Sequence, residues 1–508
     1  MKILDCTLRD GGYYTNWDFD SKLVNNYLKL VKNLPIDIIE VGYRGNKNKE
    51  SYLGEFYYLT KNNLKNIKSK IGKNKKLSVM VDTKDWISPT ELKKNLNDCR
   101  NVVDLIRFAV NPKKLNNLEK FIKVTKKMGF TIAINIMYSH LILKSDNLIN
   151  SILKFKKYFD IVYIVDSYGT LISSDVKQII QKIKFLDSEI SIGFHAHNNL
   201  EMALSNSIEA IDNKIDYLDS TFTGMGRGAG NLKTELLLTF LSLKKKSLKI
   251  NNFNNIGPVI DQFEKMKLKE KWGTSLPYMI SGSTQSPQSE AMQLIKSKRY
   301  NMTDIISYLN KKDQVNVKIK NNLNLKKKTI LIIGGGESVR NKINYIYEYL
   351  LKNPNIFVVF SSSRNLDLFN KIKLNNRSVI CITGNEITKI SKSFFKNSKF
   401  IINKNIDDKT ILPKTLSNFF KLKKNKIDKK INNSPLAISL AAAHEMNAKY
   451  VYLIGFDGFE KNNKINDYSL LNENQNIINF YKSKLNMVSL TDTIYENLEK
   501  SSLFKLIN

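Results

Sequence analysis

A chain of 508 residues is too long for one ordinary domain, and two or three are expected. Its apolar (42%) and aromatic (10%) content suffices for packed cores and excludes general disorder. Lys and Arg number 81 against 47 Asp and Glu, a formal charge of +34. The lysines are spread along the whole chain and no nucleic-acid recognition motif accompanies them, so a nucleic-acid partner is not expected. Three cysteines (Cys6, Cys99, Cys381) are too few and too far apart for a disulfide framework or zinc ribbon, which fits a reducing cytoplasm. The chain opens directly on a strand-like run without a charged-then-apolar leader, and no apolar run approaches the ~18 residues of a membrane span. The expectation is a cytoplasmic protein with no integral membrane segment.

In chain order, short Val/Ile/Phe-rich runs alternate with lysine-rich amphipathic segments. The candidate strands are Ile3–Leu8, Asp37–Gly42, Leu77–Val81, Val103–Val110, Thr131–Met137, Ile161–Val165, Ser191–Phe194 and Tyr217–Phe222. Such near-continuous apolar runs suit parallel strands buried on both faces. Eight βα units of this length predict a (β/α)₈ TIM barrel over residues 1–235 rather than an open doubly wound sheet. Residues 236–312 read as a helical appendage that closes over the barrel or mediates assembly into a homo-oligomer, and 313–328 as a Lys/Asn-rich linker. Residues 329–508 read as a Rossmann-like α/β domain, with strands at Thr329–Ile333, Ile356–Phe360, Val379–Ile382, Lys399–Ile402 and Tyr450–Ile454.

Chemistry in a TIM barrel sits at the C-terminal strand ends. There the sequence places Arg9-Asp10, Glu40, Asp82, Arg107, His140, Asp166, His195-Ala196-His197 and the loop Gly224–Asn231. Two of the four histidines in the chain stand two residues apart, so both can project to one side of a strand and reach one ion. Asp10 on the first strand can converge on this pair, and Asn231 can add a carbonyl oxygen. These N/O ligands without thiolate suit Mn²⁺, taken as the first choice, or Mg²⁺, Co²⁺ or Zn²⁺.

Asp5-x-Thr7-Leu8-Arg9-Asp10-Gly11, the His-x-His pair and Gly224-Met225-Gly226-Arg227-Gly228-Ala229-Gly230-Asn231, in this order, resemble the DRE-TIM metallolyases over roughly residues 1–300. That superfamily includes 4-hydroxy-2-oxovalerate aldolase, 3-hydroxy-3-methylglutaryl-CoA lyase and the isopropylmalate and homocitrate synthases. The resemblance implies that Asp10, His195 and His197, with Asn231, hold a divalent metal, and that Arg9 steadies an enolate. It also marks departures. Tyr13 stands where the hydroxy-oxovalerate aldolases carry a histidine that acts as base, and a phenol, ordinarily titrating near pH 10, is a poor base at neutrality. His140 is an alternative base or else a surface or structural residue, and Glu40 an acid/base group or an orienting partner. The last Gly-rich loop lacks the cysteine of the hydroxymethylglutaryl-CoA lyases, and Gly12-Tyr13 does not match the synthases. Arg107 and Asp166 fit pocket positions, Arg107 as a carboxylate clamp, or serve packing. The string Asp5 to Trp17 is similar to an aldolase-like subgroup associated with surface-polysaccharide biosynthesis.

In the second domain Gly334-Gly335-Gly336-Glu337-Ser338 follows a strand and precedes a helix, where backbone amides can hold a phosphate. It lacks the full Gly-x-Gly-x-x-Gly spacing and is not a Walker loop. With Gly455-Phe456-Asp457-Gly458 it distantly resembles nucleotide-sugar-binding domains, which implies a phosphate or nucleotide-sugar pocket that includes Asp457 and His444; the alternative is a substrate-holding or oligomerising domain in which both residues cap or satisfy local structure. The leading expectation is a metal-dependent aldolase or lyase acting on a small 2-keto acid and producing a pyruvate-type enolate. The alternatives are an acyl-CoA-dependent Claisen synthase, and an inactive barrel in a nucleotide-sugar-binding assembly protein.

Overall fold

The computed structural model describes residues 1–46, 53–86, 88–112, 115, 118–244, 253–297, 302–310, 325–372, 374, 376–381, 390, 398–402, 419–422, 434–458 and 465–507. Two compact units divide it, Met1–Lys296 and Ser297–Asn508.

Eight parallel strands close the first unit into a barrel: β1 (Lys2–Asp5), β2 (Ile38–Tyr43), β3 (Lys76–Asp82), β4 (Leu105–Val110), β5 (Thr131–Ile136), β6 (Ile161–Asp166), β7 (Ser191–Ala196) and β8 (Tyr217–Ser220). All eight predicted strands are present and paired in sequence order. The first differs in its end. β1 stops at Asp5, and the chain turns at once into helix α1 (Thr7–Thr15). Asp5 explains the stop: one of its carboxylate oxygens accepts from the Thr7 amide at 3.0 Å and from Tyr27 Oη at 2.6 Å, and the other from Thr234 Oγ1 at 2.8 Å. Thr7 Oγ1 in turn accepts from the Phe222 amide at 2.9 Å. The Asp-x-Thr pair thus folds the chain over the barrel mouth, and Arg9 and Asp10 ride on a helical turn rather than a strand end.

Below the mouth, Leu4, Cys6, Ile38, Leu105, Ala133, Ile161 and Tyr163 fill the barrel interior. The helices Thr234–Lys244, Phe253–Glu270, Leu276–Ser283 and Gln288–Ser297 follow β8. This helical stretch is stitched to the mouth loops: Asn199 Nδ2 donates to the Tyr278 carbonyl at 2.7 Å, and Trp272 Nε1 to the Thr223 carbonyl at 3.2 Å. The helix Met302–Leu309 groups with the second unit. Of the sequence-assigned linker 313–328, residues 313–324 lie outside the described residues.

The second unit is an eight-stranded parallel sheet ordered β13-β12-β11-β10-β9-β14-β15-β16. Its strands are β9 (Thr329–Ile333), β10 (Phe357–Phe360), β11 (Ser378–Cys381), β12 (Phe400–Ile402), β13 (Phe419–Lys421), β14 (Tyr450–Ile454), β15 (Asn486–Ser489) and β16 (Glu499–Lys500). Alternate residues of β9 serve opposite cores, Ile330 and Ile332 on one face and Leu331 and Ile333 on the other. Both faces are buried, as a Rossmann-like sheet requires. The small-residue helix Pro435–Glu445 packs closely on one face through Ala437, Ala441 and Ala442. Strands β13, β15 and β16 were not predicted; they are only two to four residues long and toward the sheet edges.

Candidate active site

A cavity of about 530 Å³ opens at the C-terminal mouth of the barrel, a size suited to a small-molecule ligand. Arg9, Asp10 and Tyr13 reach it from α1, Tyr43 from β2, His195 and His197 from β7 and just beyond, and Arg227 from the Gly-rich loop after β8. Across the barrel, Asp82, Asn111 and Asn135 line it beside Trp86 and Tyr138.

The two imidazoles lie 5.0 Å apart, nearly perpendicular. Each Nδ1 is already engaged: His195 donates to Asp219 Oδ2 at 2.8 Å, and His197 to the Asp166 backbone carbonyl at 2.8 Å. Those acceptors fix the proton on Nδ1 and leave Nε2 as the coordinating nitrogen of each ring. Asn231 Nδ2 donates to Asp10 Oδ2 at 2.6 Å, while its Oδ1 is buried without a hydrogen-bond partner. Asn231 also bridges the His197 backbone. One carboxylate, two oriented imidazoles and an orphaned amide oxygen form a donor set that fits a divalent cation. Cys6 is a neighbour that the sequence did not suggest, its Sγ lying within 4.8 Å of donor atoms of Asp10 and His195. Its thiol donates to the Ser220 carbonyl at 3.6 Å, and burial pushes its pKa well up, so it belongs to the floor of the site.

Beneath the cavity six ionisable groups close a ring. Arg9 pairs with Asp10 through Nη1 and with Glu40 Oε2 through Nε at 2.7 Å. Arg107 joins Glu40 Oε2 at 3.0 Å to Asp219 Oδ2 at 2.6 Å. Asp219 holds His195, whose Nε2 lies 3.4 Å from Asp10 Oδ2. Burial opposes the charges of Arg9, Asp10, Arg107, Asp219 and His195, and the neighbours outweigh it. Asp10 is held well below the usual carboxylate range, chiefly by Arg9. Asp219 is also lowered, by Arg107 and His195, while Asp10 and Asp219 raise His195. Two arginines and His195 thus face three carboxylates. His197 behaves oppositely: burial and then the charge of His195 push it down to about 3.

Several expected roles change. Arg107 is fully buried and absent from the cavity wall; its donors go to Asn135, Glu40 and Asp219, and its face to the Tyr163 ring at 4.0 Å. It is no substrate clamp. Glu40, also fully buried, bridges two arginines, which makes it an orienting partner rather than an acid/base group facing substrate. The Asp166 carboxylate, pushed up to about 7 by burial, accepts from the Thr170 and Leu171 amides, and the residue acts on the site through its carbonyl. His140 is half-buried against Tyr138 and Tyr168 and does not line the cavity. The sequence missed Asp219, Tyr43 and Arg227. Asp219 had a signal, a carboxylate in the apolar run of β8.

The expected phosphate loop of the second unit is also altered. The Ser338 amide donates to Asp457 Oδ2 at 2.9 Å, the Ser338 hydroxyl bonds Asp457 Oδ1, and the Gly334 and Gly336 amides go to the carbonyls of Ile454 and Gly455. A carboxylate occupies the place an anion would take. Gly334 and Gly336 are required by the close approach of the β14 end, because a Cβ would lie 2.4 Å from Gly455 O or 2.5 Å from Asp457 Oδ2.

Asp219→Asn should test the link from ring to ligand. Losing the anionic acceptor behind His195 is expected to weaken Mn²⁺ affinity by about 10–100-fold, read by metal titration of the chelator-stripped protein. Unchanged affinity would show that Asp219 does not orient the ligand.

A closed parallel barrel whose mouth joins a carboxylate, two Nδ1-anchored imidazoles and a fixed arginine defines the metallolyase class of TIM-barrel proteins. The comparisons agree. The HMGL-like family model matches residues 106–259. A 4-hydroxy-2-oxovalerate aldolase from Carboxydothermus hydrogenoformans is 30% identical over 244 residues, 48% of this chain and 70% of the relative. An oxaloacetate decarboxylase from Mycobacterium tuberculosis is 28% identical over 240 residues, 47% of this chain and 69% of the relative. Among solved structures, the N-terminal domain of a candidate aldolase from Bacteroides vulgatus is 40% identical with a TM-score of 0.53, covering 58% of this chain and 97% of that one. The chain belongs to the HMGL-like family of DRE-TIM metallolyases.

Proposed function

We propose that the barrel is a divalent-metal-dependent carbon–carbon lyase that cleaves a 2-keto acid to a pyruvate-type enolate, in the manner of the 4-hydroxy-2-oxovalerate aldolases. One observation carries this reading: Asp10, His195 and His197 line one cavity beside Arg9, and Asn231, its Oδ1 orphaned, is hydrogen-bonded to Asp10. A divalent ion held there supplies a Lewis acid for the keto oxygen. Arg9 is clamped through Nε by Glu40 and through Nη1 by Asp10, leaving Nη2 without a partner among the described residues. Its guanidinium is therefore preorganised for the charge that develops when the bond beta to the carbonyl breaks.

The proton-transfer group in this reading is Tyr13, whose hydroxyl lies 3.0 Å from Tyr43 Oη. This phenol pair also favours a second reading, decarboxylation of a 3-carboxy-2-keto acid, the activity named for the mycobacterial relative. Burial raises Tyr43 well above an ordinary phenol, so it stays protonated. Aldol cleavage needs a base for a hydroxyl proton, whereas decarboxylation needs only a donor for the enolate carbon. Mn²⁺ is the first metal to load, and a place in polysaccharide-precursor synthesis is supported by the Asp5–Trp17 string alone.

Pyruvate release from a panel of 4-hydroxy-2-keto acids and from oxaloacetate, with and without Mn²⁺, tests both readings. The expected result is metal-dependent release, with Arg9→Met retaining metal but lowering kcat by about 10²–10³. Metal loading without release, together with an acyl-CoA-dependent product, would replace both with a Claisen synthase. Failure to load any divalent metal would remove the lyase altogether.

A further inference from the structure

The charges around the cavity are unevenly matched. Arg9 has Asp10 and Glu40, and Arg107 has Glu40 and Asp219. Arg227, half-buried and lining the same cavity, has no carboxylate within ion-pair distance among the described residues. Its guanidinium instead lies 3.9 Å from the Tyr13 ring centroid. A guanidinium held over a ring in this way, and hydrogen-bonded to the same tyrosine, still has N–H donors to spare for a carboxylate.

The loop carrying Arg227 is held on both sides. The Gly228 carbonyl accepts from Tyr14 Oη at 3.0 Å and from the Gly273 amide at 3.2 Å, and the Ala229 amide donates to Gln288 Oε1 at 3.2 Å. Gly226 lies so close to the Asn231 side chain that a Cβ there would approach to 2.5 Å, and at Gly228, with φ +64°, one would meet Gln288 Oε1 at 2.0 Å. The stacking platform is equally fixed, with Tyr13 edge-on to Trp17 at 4.9 Å. A cation on a rigid loop, facing a cavity and lacking a counter-ion, is a preorganised anion site.

We propose that Arg227 is the carboxylate anchor of the cavity, filling the role that the sequence assigned to Arg107. This rests on the keto-acid reading, and two carboxylates fit the chemistry: the one beside the keto group, or a second one at the far end of the substrate.

Calorimetric titration of the full-length Mn²⁺-loaded protein with oxalate and with 2-oxoglutarate tests the proposal. Arg227→Gln is expected to weaken binding by about 10–100-fold, the worth of a hydrogen bond to a charged group. A loss for both probes places Arg227 on the carboxylate beside the keto group, and a loss for 2-oxoglutarate alone places it on the distal one; either supports the proposal. Arg227→Lys keeps the charge without the planar fork and is expected to fall between, and it serves as the test if the glutamine variant does not fold. Wild-type affinity for both probes in the folded variants overturns the proposal while leaving the keto-acid site intact. A wild-type protein that binds neither probe removes the keto-acid reading, and the proposal with it.

Discussion

Arg107→Met is expected to destabilise the barrel by about 3–5 kcal/mol, because it strands two buried carboxylates, Glu40 and Asp219, that share this guanidinium. For a unit of this size that corresponds to a fall in Tm on the order of 10 °C by calorimetry. Both carboxylates and the arginine are essentially inaccessible to water, so solvent cannot take over the lost hydrogen bonds. Arg107→Lys should recover only part of the loss, since one ammonium cannot reproduce the fork that reaches Asn135, Glu40 and Asp219 together. The same variant separates two roles. A substrate clamp would raise KM and leave Tm unchanged; a buried strut lowers Tm and weakens metal binding through Asp219 and His195. A melting temperature within a degree or two of wild type would refute the strut.

His195→Ala and His197→Ala are expected to leave the purified protein without stoichiometric divalent metal, as read by elemental analysis. Pyruvate release should fall by more than the roughly 10–100-fold typical of residues that stand behind a ligand. The two replacements should differ in stability. His195 belongs to the charge ring, between Asp219 and Asp10, so removing it breaks buried ionic contacts. His197 is held neutral, with a single hydrogen bond to a backbone carbonyl, and its loss should cost the fold less. Full metal content in either variant would mean that the ion, if bound, sits elsewhere.

The two predictions turn on a distinction the sequence does not contain. Along β4 and just past its end the positions on this side run Arg107, Ala109 and then Asn111, and only the last two line the cavity. Direction is legible from alternation, but depth is not. Which layer of side chains a residue joins depends on strand tilt and shear, fixed only when all eight strands close. Glu40 lies in the lower layer on β2, and the register of that strand shifts between Glu40 and Tyr43, so Tyr43 rather than Glu40 reaches the mouth.

The sequence by itself determined the architecture, eight apolar runs at βα spacing and five strands of a second sheet, because hydrophobic periodicity is local. It also placed Arg9, Asp10, His195, His197 and Asn231 at the barrel mouth, since their motifs stand at or just beyond the C-terminal ends of β1, β7 and β8. Tertiary structure alone decided how the charges are shared. Residues from five different segments meet in the ring beneath the cavity, and their pairing consumes Arg107 while leaving Arg227 open. It also brought Asp457 against the glycine loop of the second sheet, more than a hundred residues away in the chain. Pairings of that kind depend on which strand ends become neighbours, and chain closure settles that rather than the composition of any one segment.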